Sequence, residues 1–239
     1  MKQKIYAMIP ARIGSTRLKM KNLALINGKP LIYYAIKAAK DSGVFERIIV
    51  NSDSECFSKI AERYDVDFYH RPENLGGSDI KSDDVVADFI RANPEAHIVA
   101  WVNPISPMQT GKEIKSIIDY FIKENLNSLI TVCEQQVHCL HNEKPVNFSL
   151  EGKFEQTQDL NPVQAMVYSI MMWRTTSFLE VMETKGYAIL HGKIGYFPVN
   201  KLSSIIVKTS LDLLLADSLM NILKSDFDNI EYDELVYNL

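Results

Sequence analysis

The chain has 239 residues, 46% of them apolar and 23% charged, which suits one globular domain large enough to bury a core of its own. Its net charge of −4 excludes nucleic-acid binding driven by bulk charge, so any anion site must be local. No apolar run approaches the roughly 18 residues of a membrane span, no signal pattern precedes the first apolar run, and Cys56, Cys133 and Cys139 make no disulfide framework, so a cytoplasmic protein without membrane or nucleic-acid partners is expected.

Ile5 to Ile9 predicts a buried first strand. The stretch Ile9-Pro-Ala-Arg-Ile-Gly-Ser-Thr-Arg-Leu-Lys-Met-Lys-Asn22 follows, with one glycine, two hydroxyls, two arginines and two lysines between Arg12 and Asn22. This composition suits a polyanion. Gly14 lets the backbone turn and approach closely, so that N–H groups can point at phosphate oxygens. Arg12, Arg17 and Lys21 supply charge, and an arginine can fork onto two oxygens. A solvated basic loop is the plain alternative.

Asn27-Gly28 predicts a turn and Pro30 a helix start. Leu31, Ile32, Ala35, Ile36 and Ala39 recur at helical spacing up to Gly43, a C-terminal cap. Residues 47–50 read as a second strand, 55–64 as a helix behind the polar cluster Asn51-Ser-Asp-Ser54, and 66–69 as a third strand. Alternating strands and helices with short connections predict a mostly parallel sheet between helices, whose ligands gather beyond the carboxyl ends of the strands. That rule sets the first loop, Asn51 to Ser54 and His70-Arg-Pro72 on one edge.

A loop with Gly76-Gly77 leads to a helix over 83–92, a nearly all-apolar strand over 97–102, and the shaped loop Asn103-Pro-Ile-Ser-Pro107 on the same edge. Residues 111–123 form an amphipathic helix and 128–132 a fifth strand. From 134 to about 165 the pattern weakens, which predicts a small protruding arm, with a hairpin of Val146 to Leu150 against Lys153 to Gln156. An apolar run over 166–173, a helix over 176–184 and a strand over 195–199 follow. The last helix starts at the capping box Thr209-Ser-Leu-Asp212, with Leu211, Leu214, Leu215, Leu219, Ile222 and Leu223 as its expected buried stripe. The acidic tail from Ser225 is expected to pack loosely.

Taken together, Ile9-Pro-Ala-Arg12, Gly14-Ser-Thr-Arg-Leu18, Lys21-Asn22-Leu23, Gly28-Lys-Pro-Leu31, Ser52-Asp53-Ser54, Arg71-Pro72 and Ser106-Pro107 resemble the cytidylyltransferases that activate sugar acids, the CMP-sialic acid synthetases and ketodeoxyoctulosonate cytidylyltransferases. The likeness covers roughly residues 4–133 well and the second half in outline. It implies a single Rossmann-like nucleotidyltransferase domain of the α/β class over residues 1–239. It also implies CTP as co-substrate, transfer of CMP to a 2-keto-3-deoxy sugar acid, release of pyrophosphate, Mg²⁺, and a homodimer that exchanges the arm. Carried over by position, Arg12, Gly14, Ser15 and Lys21 hold the triphosphate, Asn22 and Arg71 the cytidine part, and Ser82 the base. Asn103, Ser106, Gln109 and, on the arm, Gln158 are the candidates for the acceptor side.

The chain departs from this pattern in its second half. Where the family carries Asp-Ile-Asp for Mg²⁺, Ile206-Val-Lys208 stands here, and neither Ile206 nor Lys208 can ligate a hard cation, so the metal ligands stay unassigned. Gln109 replaces a common arginine, Gln156-Thr-Gln-Asp-Leu160 replaces an Arg-Arg-Gln-Asp-Leu pattern, and Val167-Tyr168 replaces Asn-Gly. Two accounts fit. The enzyme acts on a differently bound acceptor, a sugar phosphate or phosphonate among the options, with Lys208 joining Arg12 and Lys21 as a catalytic charge. Alternatively, the chain is a catalytically silent nucleotide-binding or assembly relative. Cys133, His138, Cys139 and His141 match no usual zinc spacing. Asp83-Asp84 suits a helix start better than a metal. Trp101 and Trp173 are expected in the core or, for Trp173, at the arm.

Overall fold

The computed structural model of the chain describes residues 3–223, so the tail from Ser225 lies outside the described residues. The elements run β1 (Ile5–Pro10), β2 (Leu25–Ile26), β3 (Lys29–Pro30), α1 (Leu31–Ser42), β4 (Arg47–Ser52), α2 (Cys56–Arg63), β5 (Asp67–His70), α3 (Ser82–Ala92), β6 (Ile98–Val102), α4 (Gly111–Lys123), β7 (Ser128–Gln135), β8 (Leu140–His141), β9 (Lys144–Pro145), β10 (Val163–Arg174), α5 (Thr175–Lys185), β11 (Ile194–Pro198) and α6 (Ser210–Ile222). Seven strands make one sheet in the order β11-β7-β10-β6-β1-β4-β5. This is the expected α/β architecture, mostly parallel between two layers of helices.

β1 lies inside the sheet, between β6 and β4, because it is apolar on both faces. Ile5, Ala7 and Ile9 join Ile98, Ala100 and Val102 of β6 under α1, α2 and α4. Tyr6 and Met8 face the other way, with Val99, toward Phe89 of α3 and Phe178 of α5. The parallel register pairs Pro10 with Asn51, Ser52 with His70 and Met8 with Trp101. It therefore brings the ends of β1, β4, β5 and β6 to one edge, as the strand pattern required.

β10 runs antiparallel between β6 and β7. Its register to β7 shifts between Met166 and Met171, where Tyr168 takes a left-handed backbone, φ 58°. The arm leaves after β7 and returns into β10, but its hairpin differs from the expected one. β8 pairs with β9 around Asn142-Glu143, both at positive φ, the conformation of the tight turns that suit hairpins. Residues 146–150 and 153–156 stay irregular. Asn147 accounts for this. Its Nδ2 donates to the carbonyls of Val137 (2.9 Å) and Asn161 (2.8 Å), and its Oδ1 accepts from the N–H of Cys139 (3.0 Å), so that segment braces the base of the arm.

The stripe expected on α6 is also corrected. Leu211 (63% exposed), Leu214 (64%), Leu215 and Leu223 face outward. Ala216, with Leu213 and Met220, packs on Ile26, Leu31 and Val207. The helix is apolar nearly all round, so periodicity does not choose a face. A polar contact does: Asp217 Oδ1 accepts the N–H of Asn27 at 2.6 Å, turning that side toward the β2–β3 turn.

Asp83 resolves as structural. Its Oδ1 accepts the backbone N–H groups of Ala188 (2.6 Å) and Ile189 (2.9 Å), which ties α3 to the segment after α5. Removing an ionised acceptor strands two donors. Asp83→Ala should therefore lower the unfolding free energy by about 2–3 kcal/mol in urea titration, whereas Asp84→Ala at an exposed position of the same turn should change it by less than about 1 kcal/mol.

Candidate functional site

The first loop leaves β1 still paired, since the N–H of Ala11 donates to the carbonyl of Asn51 (2.9 Å). The next N–H but one, from Ile13, donates to Asp53 Oδ1 (3.2 Å). The same carboxylate oxygen meets Arg71 Nη2 at 3.5 Å. A Cβ on Gly76 would lie 2.4 Å from Asp53 Oδ2, so only glycine lets that loop come so close. Arg12 closes the ring by donating from Nη1 to the carbonyl of Gly77 (3.3 Å). Asp53 thus gathers the first loop, the end of β5 and the Gly76-Gly77 loop. Farther along, Met20 takes a left-handed backbone (φ 45°) and starts a single tight turn over Lys21–Leu23. That turn presents Lys21 and the buried amide of Asn22.

These loops enclose a cavity of about 400 Å³. Arg12, Arg17, Lys21, Arg71 and Lys208 line it, and among the described residues no Asp or Glu does. Lys21 is half-buried beside Arg17, Arg12 and Lys208. Burial first, then these like charges, lower its pKa from 10.5 to about 8. Arg71 is 4% exposed, and its Nε has no hydrogen-bond partner among the described residues. The indole Nε1 of Trp101, also on the wall, is likewise buried without a partner. A wall of cations with unspent donors is built for a polyanion with an acceptor-rich body.

Of the residues singled out in the sequence, Arg12, Ser15, Lys21, Asn22, Arg71, Ser82, Asn103 and Lys208 meet on this cavity. Gly14 belongs to the same loop but is not on the wall. Ser106 and Gln109 stand outside it, for a structural reason. Ser106, buried, donates from Oγ to the carbonyl of Ser203 (2.5 Å). Gln109 donates from Nε2 to Glu113 Oε2, and Glu113 Oε1 accepts the N–H of Asn200 (2.7 Å). Both residues therefore hold the 200–208 segment against the 103–109 loop. Gln158 lies on the arm, where its carbonyl accepts from Gln136 Nε2 (2.7 Å). Trp101, expected in the core, packs against it edge-on to Trp173 and also lines the cavity. Its place at the carboxyl end of β6 was the available signal, since parallel sheets bind ligands there. Thr16, a hydroxyl of the first-loop motif, is on the wall too, as are Ser78 and Ile80, which carried no distinguishing pattern.

Mg²⁺, implied by the resemblance, does not fit the residues present. Ile206 packs on the main core, Val207 is buried and donates its N–H to the carbonyl of Ile105 (2.8 Å), and Lys208 faces the cavity. Asp212 is already engaged, its Oδ2 accepting from the N–H of Lys208 (2.9 Å), the N–H of Thr209 (2.8 Å) and Thr209 Oγ1 (2.9 Å). These bonds, that from Lys208 foremost, hold its carboxyl below the usual range. Among the described residues no three His, Cys, Asp or Glu side chains cluster as metal ligands.

A mostly parallel sheet between helices, with a cationic cavity at its carboxyl edge, defines a Rossmann-like nucleotidyltransferase fold. Residues 6–159 match the cytidylyltransferase family, and the chain belongs to it. It is 39% identical over 114 residues to an N-acylneuraminate cytidylyltransferase of Escherichia coli, covering 48% of this chain and 27% of that protein. Proteins of the same description from Oncorhynchus mykiss and Streptococcus agalactiae are 28% and 29% identical over 131 and 133 residues, 55% of this chain in both cases. The matched segments span 27%, 30% and 32% of these relatives, about a third of their length at most. Among solved structures, a CMP:2-keto-3-deoxy-manno-octonic acid synthetase complexed with CTP superposes with TM-score 0.71 at 15% identity, covering 92% of this chain and all of that one. A 4-diphosphocytidyl-2C-methyl-D-erythritol synthase from Anaerococcus prevotii gives 0.63 at 14% identity, covering 92% of this chain and 99% of that one.

Lys21 makes the cavity's repulsion measurable. Its folded pKa lies below the unfolded value, so between about pH 8 and 10.5 the unfolded chain binds more protons and stability rises with pH; below about pH 8 the whole penalty is present. Lys21→Met should therefore melt higher than the natural chain at pH 7 and lose that advantage by pH 10. Polyanion affinity should fall as pH rises through about 8, where the free ammonium is lost.

Proposed function

We propose that the chain binds CTP in this cavity and transfers CMP to a 2-keto-3-deoxy sugar acid with release of pyrophosphate. The observation that carries this reading is the ring of five cations on the carboxyl edge of the sheet, three of them, Arg12, Arg17 and Lys21, from the loop that lies within the family match. The names of the relatives support the acceptor class. Arg12, Ser15 and Lys21 hold the triphosphate, and Asn22, Arg71 and Ser82 hold the cytidine part, with Trp101 beside them. Asn103, at the end of β6, faces the acceptor.

The reaction needs charge placement more than covalent help. An acceptor hydroxyl oxygen bonds to the α-phosphorus as the bond from that phosphorus to the bridging oxygen breaks. Pyrophosphate leaves and the acceptor's proton passes to water. Arg12 and Lys21 stabilise the charge that grows on the phosphoryl oxygens, because they are fixed in place before the reaction. A silent nucleotide-binding relative is the second reading, favoured by Ile206 and Lys208 at the metal positions.

The chain works as a cytoplasmic homodimer in this proposal, consistent with three free cysteines and with an arm that carries Leu150 (76% exposed) and Phe154 (74%) outward. Phe154 stacks on His138 at 4.2 Å between ring centroids, which stiffens an apolar surface suited to a second copy.

Pyrophosphate release should be seen with CTP and a 2-keto sugar acid, and not with ATP, GTP or UTP, when each is assayed with and without Mg²⁺. Tight CTP binding with no release for any acceptor would favour the silent relative. In light scattering the natural chain should have the mass of a dimer, and Phe154→Lys together with Leu150→Lys should give a monomer; a monomeric natural chain would end the arm proposal.

A further inference from the structure

The cavity is lined by five cations and, among the described residues, no carboxylate, and Lys208 stands where the resemblance places a metal ligand. Val207 fixes this arrangement. Its side chain is buried with Ile26, Leu31 and Ala216, and its N–H is bonded to Ile105. Its neighbours must then diverge, Ile206 toward the main core and Lys208 toward the cavity. Asp212 holds the backbone of Lys208 and Thr209, which sets the chain direction at the wall and occupies the nearest carboxylate.

Charge decides what ligand this wall accepts. Arg71 has Asp53 as its partner at 3.5 Å. Arg12, Arg17, Lys21 and Lys208 form no ion pair within 4.0 Å among the described residues, and no carboxylate lines the cavity with them. A fully ionised nucleoside triphosphate carries about four negative charges. Bound to a divalent cation it carries about two, which leaves a wall of this kind over-charged. The lowered affinity of Lys21 for its proton comes first from burial and then from the like charges of Arg17, Arg12 and Lys208.

We propose that this site takes its nucleoside triphosphate as the metal-free polyanion, the Lys208 ammonium standing in for the divalent cation. The inference rests on the nucleotide reading above and adds the form of the nucleotide and the residue that selects it. Lys208 touches the phosphates directly, and the cation-binding carboxylates that would compete with it are absent from the described wall.

Calorimetric titration of the full chain with CTP, once in EDTA and once in excess Mg²⁺, tests this. CTP should bind in EDTA at least as tightly as in Mg²⁺. Lys208→Ala should weaken binding in EDTA by about tenfold, the scale of one lost charge-assisted contact, while Lys208→Arg keeps the affinity. Lys208→Asp should bind poorly in EDTA and recover with Mg²⁺. The Lys208 side chain is exposed, so the variants should fold, and matching thermal melts check this. Binding that is absent in EDTA and restored by Mg²⁺ would overturn the proposal while leaving the nucleotide site standing. Unchanged affinity in Lys208→Ala, or no recovery of Lys208→Asp with Mg²⁺, would overturn the role of Lys208. No binding of any nucleoside triphosphate in either buffer would sink both readings.

Discussion

Five cations share one cavity wall without a carboxylate among the described lining residues, and much of the surrounding structure exists to withstand that repulsion. Like charges gathered on one wall repel one another, so the loops that carry them need anchoring. They are held from behind. Asp53 bonds the first loop and Arg71, and Gly76 packs against it. Asp212 accepts the backbone N–H groups of Lys208 and Thr209. Both carboxylates sit outside the cavity lining, Asp53 pairing with Arg71 there and Asp212 holding backbone N–H groups, so the other four cations keep their charge unpaired among the described residues. Strain of this kind is what an anion relieves on binding, so affinity and fold stability pull against each other at Lys21.

The sheet supplies the rigid frame. Parallel pairing of β1 with both β4 and β6 sets three loops on one edge. The antiparallel β10 brings the base of the arm beside them, with the N–H of Asn103 bonded to the carbonyl of Ser169 at 2.9 Å. In the 103–109 loop Asn103 lines the cavity, while Ser106 and Gln109 are engaged in structural hydrogen bonds. Ser106, Gln109 and Glu113 form a polar brace that clamps the 200–208 segment. The segment that carries Lys208 to the cavity is therefore held by hydrogen bonds from the first half of the molecule.

Strand and helix order, the carboxyl edge and the first loop were legible along the chain because each rests on local regularities: an apolar run, a helical spacing, a glycine beside cations. The arm hairpin and the buried face of α6 were not. In the arm, the amide of Asn147 competes with strand pairing, and a single side chain of that sort leaves no periodic trace. In α6, leucines occupy several faces, and the choice fell to Asp217 and the N–H of Asn27, 190 positions apart. The site divides the same way. Arg12, Ser15, Lys21 and Asn22 share one short loop, and their type and spacing announce a polyanion. Trp101 does pack on the core, but its second place, on the cavity wall, follows from the end of β6 and matters only once the sheet is assembled.

The amino-acid sequence by itself determined the α/β class, the phosphate-seeking composition of residues 12–22 and the presence at 206 and 208 of an isoleucine and a lysine that cannot ligate a hard cation, since each is a property of residue type and near spacing. Only the tertiary structure decided that Asp53 is a brace, that Ser106 and Gln109 are buttresses, and that Lys208 joins Arg12, Arg17, Lys21 and Arg71 around one cavity. Those roles depend on which distant segments meet, and that is set by sheet register and by buried polar contacts that no local pattern records.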